Sequence, residues 1–222
     1  MKQEEYMNHT RSTIHPALAE YMDSLQRESD LIGEERRALL TRLANYIRQK
    51  AEEGQTAHLN FICTHNSRRS QLAQLWATTG AALLGLTHIN TYSGGTEATA
   101  FNPRAVAAAE RAGFVVDNPG GENPRYEVSF SPEVPPLVLF SKVFDDPVNP
   151  TEGFAAVMTC SDADENCPFI PGAELRLPLT YDDPKEADDT PGEAARYDER
   201  LRQIGRELLF ALSLIQTNQA PS

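Results

Sequence analysis

An α/β fold built on an open, parallel four-stranded sheet with helices on both faces is what this sequence predicts, and two observations predict it. From residue 57 onward, short apolar runs alternate with stretches of helical periodicity, the signature of strand–helix–strand units. The helical stretches also carry punctuation: Asn102-Pro103 reads as an N-cap followed by a first-position proline, and Gly113 as a stop. In an open sheet of this kind, ligands bind beyond the carboxyl ends of the strands. Cys63 and Cys160 both fall at such ends.

Residues 1–56 precede the alternating region and read as a separate helical hairpin, so the chain divides into 1–56 and 57–222. Leu18, Tyr21, Met22 and Leu25 share one helix face behind Pro16, and Gly33 breaks the pattern. A second helix carries Leu39, Leu43, Tyr46 and Ile47 and ends near Gly54. Such amphipathic helices are expected to pack on the second domain, or on a second subunit in a homodimer. Ala57–Cys63 then reads as a buried strand, and Arg69 to about Gly80 as a helix carrying Leu72, Leu75, Trp76 and Thr79. Thr87–Ser93 is a second strand closed by Gly94-Gly95, followed by the Ala-rich helix from Asn102 to Ala112. Residues 118–136, rich in Pro and Gly, predict a loop with a strand or two; Tyr126–Phe130 and Leu137–Phe144 look extended. Pro136–Val143, Gly153–Cys160 and Leu175–Leu179 are the remaining strand candidates. The last helix, from about Gly192 to Gln216, buries Leu201, Ile204, Leu208, Leu212 and Ile215. Trp76 belongs to the core, and His58 and His88 look like ordinary strand or loop residues.

With 222 residues, of which 40% are hydrophobic, the chain buries a real core. Its net charge of −12 argues against a nucleic-acid partner, which needs a basic face. No apolar stretch approaches a membrane span, and the first residues, Met1-Lys2-Gln3-Glu4-Glu5, lack the apolar core of a signal peptide. A cytoplasmic location is therefore expected. There, an odd count of three cysteines predicts free thiols rather than a disulfide framework.

The chemistry concentrates in Phe61-Ile62-Cys63-Thr64-His65-Asn66-Ser67-Arg68-Arg69-Ser70. A cysteine closes a strand, and an Arg-Ser pair opens the following helix. Turn N–H groups and a helix N-terminus make an anion cradle around the thiol, and the same field favours thiolate at Cys63. In that geometry Cys63 attacks, Arg69 clamps equatorial oxygens of the anion, and Ser70 donates to the thiolate. Asn66 holds the turn through its side chain, while Thr64, His65, Ser67 and Arg68 contribute backbone N–H groups. The competing reading is an inert buried cysteine before a surface helix.

These residues resemble the motif of the low-molecular-weight protein tyrosine phosphatases and, more narrowly, of the thioredoxin-coupled arsenate reductases built on that fold. Four blocks carry the resemblance: Phe61-Ile62-Cys63-Thr64 through Ser70-Gln71; Tyr92-Ser93-Gly94-Gly95-Thr96; Asn102-Pro103-Arg104-Ala105-Val106; and Thr159-Cys160 through Cys167-Pro168. It spans residues 57 to about 216, and it implies that Asp183, before Pro184, is the general acid. Asp145-Asp146-Pro147 is a decoy of the same composition, and Asp182, Asp188 and Asp189 crowd the same acidic loop. The resemblance further implies a thiol relay. Cys160 resolves the arsenic adduct on Cys63, and Cys167 carries the disulfide outward to thioredoxin or a similar dithiol protein. Cys160 and Cys167 are seven positions apart, about 10 Å of helical rise, so closing a disulfide between them requires any helix over Ser161–Asn166 to unwind. Other readings of the pair are a zinc half-site, a calcium loop opening at Asp162, or plain burial. The zinc spacing is wrong, and Ala173 stands where a calcium loop needs its acid.

Two departures from the pattern stand in the cradle: His65 where the family usually has glycine, and Arg68 where it often has cysteine. A side chain at 65 is expected to favour a small inorganic oxyanion over an aryl phosphate. Arg68 is expected either to add affinity for a dianion or to face solvent. No metal and no tightly bound cofactor is expected. The family's alkali-cation site is not carried over, because Gln74 replaces an acid. The leading expectation is thus arsenate reduction by Cys63, Cys160 and Cys167 with an external dithiol reductant. Alternatives are a phosphatase working through a Cys63 phosphocysteine, and a redox or oxyanion sensor.

Overall fold

The computed structural model of the protein describes residues 13–166 and 169–216. Helices α1 (Pro16–Arg27) and α2 (Glu34–Glu52) are joined by a 3-10 turn at Ser29–Leu31. Strand β1 (Ala57–Cys63) leads into α3 (Arg69–Leu83), then β2 (Ile89–Gly95) into α4 (Pro103–Arg111). Three short strands follow, β3 (Val115–Asp117), β4 (Tyr126–Ser129) and β5 (Leu137–Leu139). The chain continues through β6 (Phe154–Met158), α5 (Ser161–Asn166), β7 (Ala173–Pro178), a 3-10 turn at Pro184–Ala187 and α6 (Glu193–Gln216).

The main sheet has the order β2-β1-β6-β7 and is parallel throughout, as expected. Strand parity sorts its side chains. Leu59, Phe61, Ala155, Val157 and Leu177 face a large core shared with α1, α2, α3, α4 and α6. Ile62, Phe154, Ala156 and Met158 point to the opposite face, in a smaller cluster that takes in Cys63 and Cys160 at the strand ends and is covered by Ala163 of α5, Ile170 and Phe144. A central strand flanked on both sides and covered on both faces is apolar over most of its length. Six of the seven β1 residues are buried.

Helix α6 is the spine of the larger layer and packs against α1, α2, α3 and α4. Trp76, fully buried, stacks on Tyr21 at 6.0 Å and meets Phe114 edge-on at 5.2 Å. Gly205 of α6 is the floor under that ring: a Cβ there would sit 2.7 Å from Trp76 Cε2. The N-terminal helices contribute Leu18, Met22, Leu25, Leu40, Leu43 and Ile47 to the same core as the sheet. No helix among the described residues is long and apolar enough to cross a membrane.

The structure corrects several expectations. The buried stripe of α2 is Leu40, Leu43, Ala44, Ile47 and Lys50, with Leu39 and Tyr46 at its margins. Tyr46 is drawn aside because its hydroxyl reaches Glu174 and the Gly153 carbonyl. A second, antiparallel sheet of order β3-β4-β5 was not expected, and Val115–Asp117 carries too short a signal to read as a strand. The strand expected over Pro136–Val143 ends at Leu139. Beyond it, the chain leaves the ladder and crosses to Gly95, where Gly95 N donates to Lys142 O (2.9 Å) and Phe144 N to Gly95 O (2.8 Å). At Asn102 the expected cap forms, its side chain accepting from Arg104 N at 2.9 Å.

Candidate active site

The turn from Cys63 to Ser70 joins β1 to α3, and its peptide groups are oriented by bonds on their carbonyl side. Cys63 O accepts from Thr96 N (3.1 Å), Thr64 O from Glu97 N (2.9 Å), and Ser67 O from Asn102 N (2.8 Å). His65 O accepts from Ser141 Oγ (2.8 Å) and Thr99 Oγ1 (3.3 Å), and Asn66 O from Gln71 Nε2 (3.0 Å). These bonds occupy the carbonyls of Cys63 to Ser67 and leave the N–H groups of Thr64 to Arg68 unused. Among the described residues no acceptor meets them. Successive amides facing one concavity make an anion nest. Gly94 and Gly95 let the neighbouring backbone come this close: a Cβ on Gly95 would lie 2.7 Å from both Asn66 N and Thr64 O.

Asn66 is the hub of the turn. Its φ of 46° is the left-handed conformation that asparagine tolerates. Its Oδ1 accepts from Lys142 N (3.0 Å) and from Gln71 Nε2 (3.1 Å), which fixes the amide so that Nδ2 donates to Ser70 Oγ at 2.8 Å. Ser70 therefore keeps its one hydroxyl proton for Cys63 Sγ, 3.0 Å away. Lys142 is itself buried, and burial lowers its ammonium to about 8.

Arg69 is 7% exposed and neutralised in place. Nη2 donates to Asp183 Oδ2 at 2.6 Å and Nη1 to Tyr181 O at 2.9 Å. Its Nε is buried with no partner among the described residues. The two prongs expected to clamp an anion are thus engaged here, one by the Asp183 carboxylate and the other by the Tyr181 carbonyl. This contact also separates Asp183 from the other acids. Asp182 is largely exposed and pairs with Arg200, and Asp146 accepts from Val148 N in a turn of its own.

Of the two expectations for Arg68, solvent exposure is contradicted: its side chain is 12% exposed. Its Nε donates to Tyr197 Oη (2.7 Å) and its Nη2 to Asp188 Oδ2 (3.4 Å). Only its backbone N–H belongs to the nest. His65 lies half exposed at the rim, Nε2 being 3.2 Å from Glu97 Oε1.

Cys160 is fully buried at the end of β6. Its Sγ lies 3.4 Å from Thr64 Oγ1, the hydroxyl of the residue after Cys63, and accepts from Ala163 N at 3.4 Å. Thr159 N donates to Ile62 O at 2.7 Å, which draws the ends of β1 and β6 together. Helix α5 is formed over Ser161–Asn166, and Arg176 reaches it through an ion pair with Asp164 (2.7 Å). Cys167 lies outside the described residues.

No group of three or more His, Cys, Asp or Glu side chains able to hold a metal lies among the described residues. Gln74, the residue on which the alkali-cation expectation turned, donates Nε2 to Thr91 O at 3.1 Å, and its Oε1 is buried with no partner among the described residues. Ser141, Asn123, Tyr181 and Tyr197 were missed by the sequence reading. Asn123 pins Ser141, accepting from its N (3.1 Å) and donating to its O (2.8 Å), and no spacing announces such contacts.

Among characterised proteins, the chain is 33% identical over 124 residues to arsenate reductase 2 of Staphylococcus epidermidis, covering 56% of this chain and 76% of that one. Over 149 residues it is 32% identical to arsenate reductase of Bacillus subtilis and 31% to that of Bacillus licheniformis, covering 67% of this chain and 89% of each. No protein-family model matches. Solved structures similar to it include a low-molecular-weight phosphotyrosine phosphatase from Vibrio cholerae (14% identity, TM-score 0.49, 74% of this chain and 99% of that one). An arsenate reductase in a phosphate-binding state is similar as well (18% identity, TM-score 0.47, 72% of this chain and 100% of that one).

Proposed function

We propose that this chain, an enzyme that belongs to the arsenate reductase family, reduces arsenate through a relay of Cys63, Cys160 and Cys167 that a thioredoxin-like dithiol protein resets. In this reading arsenate enters the nest of N–H groups from Thr64 to Arg68, and Arg69 turns its free Nε to it. Cys63 attacks arsenic with Ser70 donating to its sulfur, and an oxygen leaves as water with a proton from Asp183. Asp183 must release Arg69 to do so, and the incoming anion is what competes for that guanidinium. The Cys160 thiolate then attacks Cys63 Sγ. The S–As bond breaks with its electron pair left on arsenic, which departs as arsenite, and a Cys63–Cys160 disulfide forms. Cys167 attacks Cys160, Cys63 leaves as thiolate, and the external dithiol reduces the Cys160–Cys167 bond.

The observation that supports this most is the 3.4 Å contact between Cys160 Sγ and Thr64 Oγ1. A phosphatase ends with water and has no use for a second sulfur at the cradle. The test is steady-state turnover of arsenate with a thioredoxin system and NADPH, beside hydrolysis of an aryl phosphate. Cys160→Ser is expected to cut arsenate turnover by about a thousandfold or more and to leave hydrolysis within about twofold. Arsenate reduction that survives the substitution overturns the relay. A wild-type protein that hydrolyses the ester and reduces no arsenate is a phosphatase.

A further inference from the structure

The anion nest leaves the side chain of Arg68 without a task, although it is only 12% exposed. It sits in a closed triangle of polar groups. Arg68 Nε donates to Tyr197 Oη at 2.7 Å, Tyr197 Oη donates to Asp188 Oδ1 at 2.7 Å, and Arg68 Nη2 lies 3.4 Å from Asp188 Oδ2. The same Nε stands 4.0 Å from Asp183 Oδ1. Arg104 closes the outer side, with Nη1 3.8 Å from Asp188, Nη2 on Asp189 (2.7 Å) and Nε on Glu193 (2.6 Å).

The triangle fixes direction. A phenol has one proton, and Tyr197 commits it to Asp188, so its oxygen must face Arg68 as an acceptor. Burial, and then the bond to Asp188, push the Tyr197 hydroxyl up to about 12, so it remains a donor throughout the neutral range. Asp188 is joined to Asp183 by one short, internally bonded piece of chain. Between them runs the 3-10 turn Pro184–Ala187, capped by Asp183 Oδ1 on Lys185 N (3.1 Å) and closed by Asp188 N on Lys185 O (3.0 Å). Whatever anchors Asp188 therefore sets where Asp183 stands over the cradle.

We propose that Tyr197 and Asp188 are positioning residues for Asp183: with Arg68 as the shared tie, they hold the Pro184–Ala187 turn so that the Asp183 carboxyl addresses the oxyanion bound at Cys63. The inference rests on the reading of Asp183 as the proton donor and adds the device that aims it. Arg68 thus supplies a backbone N–H to the anion and a guanidinium to the acid segment. This accounts for a charged side chain in the nest that does not point into it.

Tyr197→Phe tests this, because it keeps the ring and its packing and removes only the hydroxyl. The expected result is a drop in kcat of about tenfold, a fraction of what a positioned proton donor contributes. Inhibition by inorganic phosphate, which reads the nest alone, stays within about twofold. In the Asp183→Asn background the Tyr197→Phe change costs nothing further, since there is no acid left to aim. An unchanged kcat in Tyr197→Phe, full multiplication of the two losses, or phosphate inhibition that weakens in step with kcat would each overturn the proposal. Protein that hydrolyses phenyl phosphate without reducing arsenate defeats the reductase reading alone. The wild type and the same three variants on that hydrolysis then decide the positioning claim, because departure of a phenol needs the same proton.

Discussion

The cradle and the acid segment that faces it are held in different ways. Residues 63–70 are held in good part by backbone groups, with side-chain donors beside them: Thr96, Glu97 and Asn102 donate backbone N–H groups, Ser141, Thr99 and Gln71 donate from side chains, and a Cβ on Gly95 would collide with the turn. Residues 181–188 are held through side chains that come from far along the chain. Arg68 and Tyr197 are 129 positions apart, and Arg36 of α2 lies over the Tyr181 ring at 4.5 Å while its Nε pairs with Glu207 at 2.7 Å. Bonds made by backbone N–H groups survive most substitutions of the residues that make them. A side-chain clamp is adjustable one residue at a time, and so it is where the rate is tuned.

The contrast is broken most severely at Gly95. Gly95→Ala drives a Cβ into backbone atoms that cannot step aside, and the nest must deform. Arsenate kcat/KM is expected to fall by about a hundredfold, the scale of a displacement near 1 Å, and phosphate inhibition to weaken with it. Unchanged phosphate inhibition in a folded Gly95→Ala protein would show that the nest is not held by that close approach. A smaller effect is expected at the other region. Arg36→Met keeps most of the stem over Tyr181 and removes the guanidinium, so kcat should fall about threefold with phosphate inhibition unchanged. If instead both parameters moved together, the two regions would not be separable. The N-terminal helices would then support the cradle and the acid segment alike.

This difference also explains what the sequence discloses. The nest was legible because its parts are local: a strand ending at Cys63, a turn, and a helix opening at Arg69 within a few positions. Ser70, Asn66 and the helix cap at Asn102 act through neighbours, and each side chain stands where the local pattern put it. The meeting of Cys160 with the nest was legible as topology, since both strand ends must lie on one rim of a parallel sheet. Arg68 was not legible. Nothing in Ser67-Arg68-Arg69 announces the partners of its side chain, because they are a phenol in the last helix and an acid 120 positions on. The path after Leu139 was hidden for a similar reason. Phe140 to Phe144 carries a strand-like composition, but Asn66 and Gly95 take up its hydrogen bonds before a partner strand can. The β3-β4-β5 sheet is built from strands of three or four residues, too short for alternation to rise above chance.

The most direct measurement of the central claim is a single turnover of the reduced enzyme with arsenate and no external reductant, quenched by alkylation and read by peptide mass spectrometry. The account predicts one arsenite per enzyme, Cys63 alkylated, and the peptides of Cys160 and Cys167 joined by a disulfide. Arsenite formed while Cys160 and Cys167 both carry the alkylating group would contradict it.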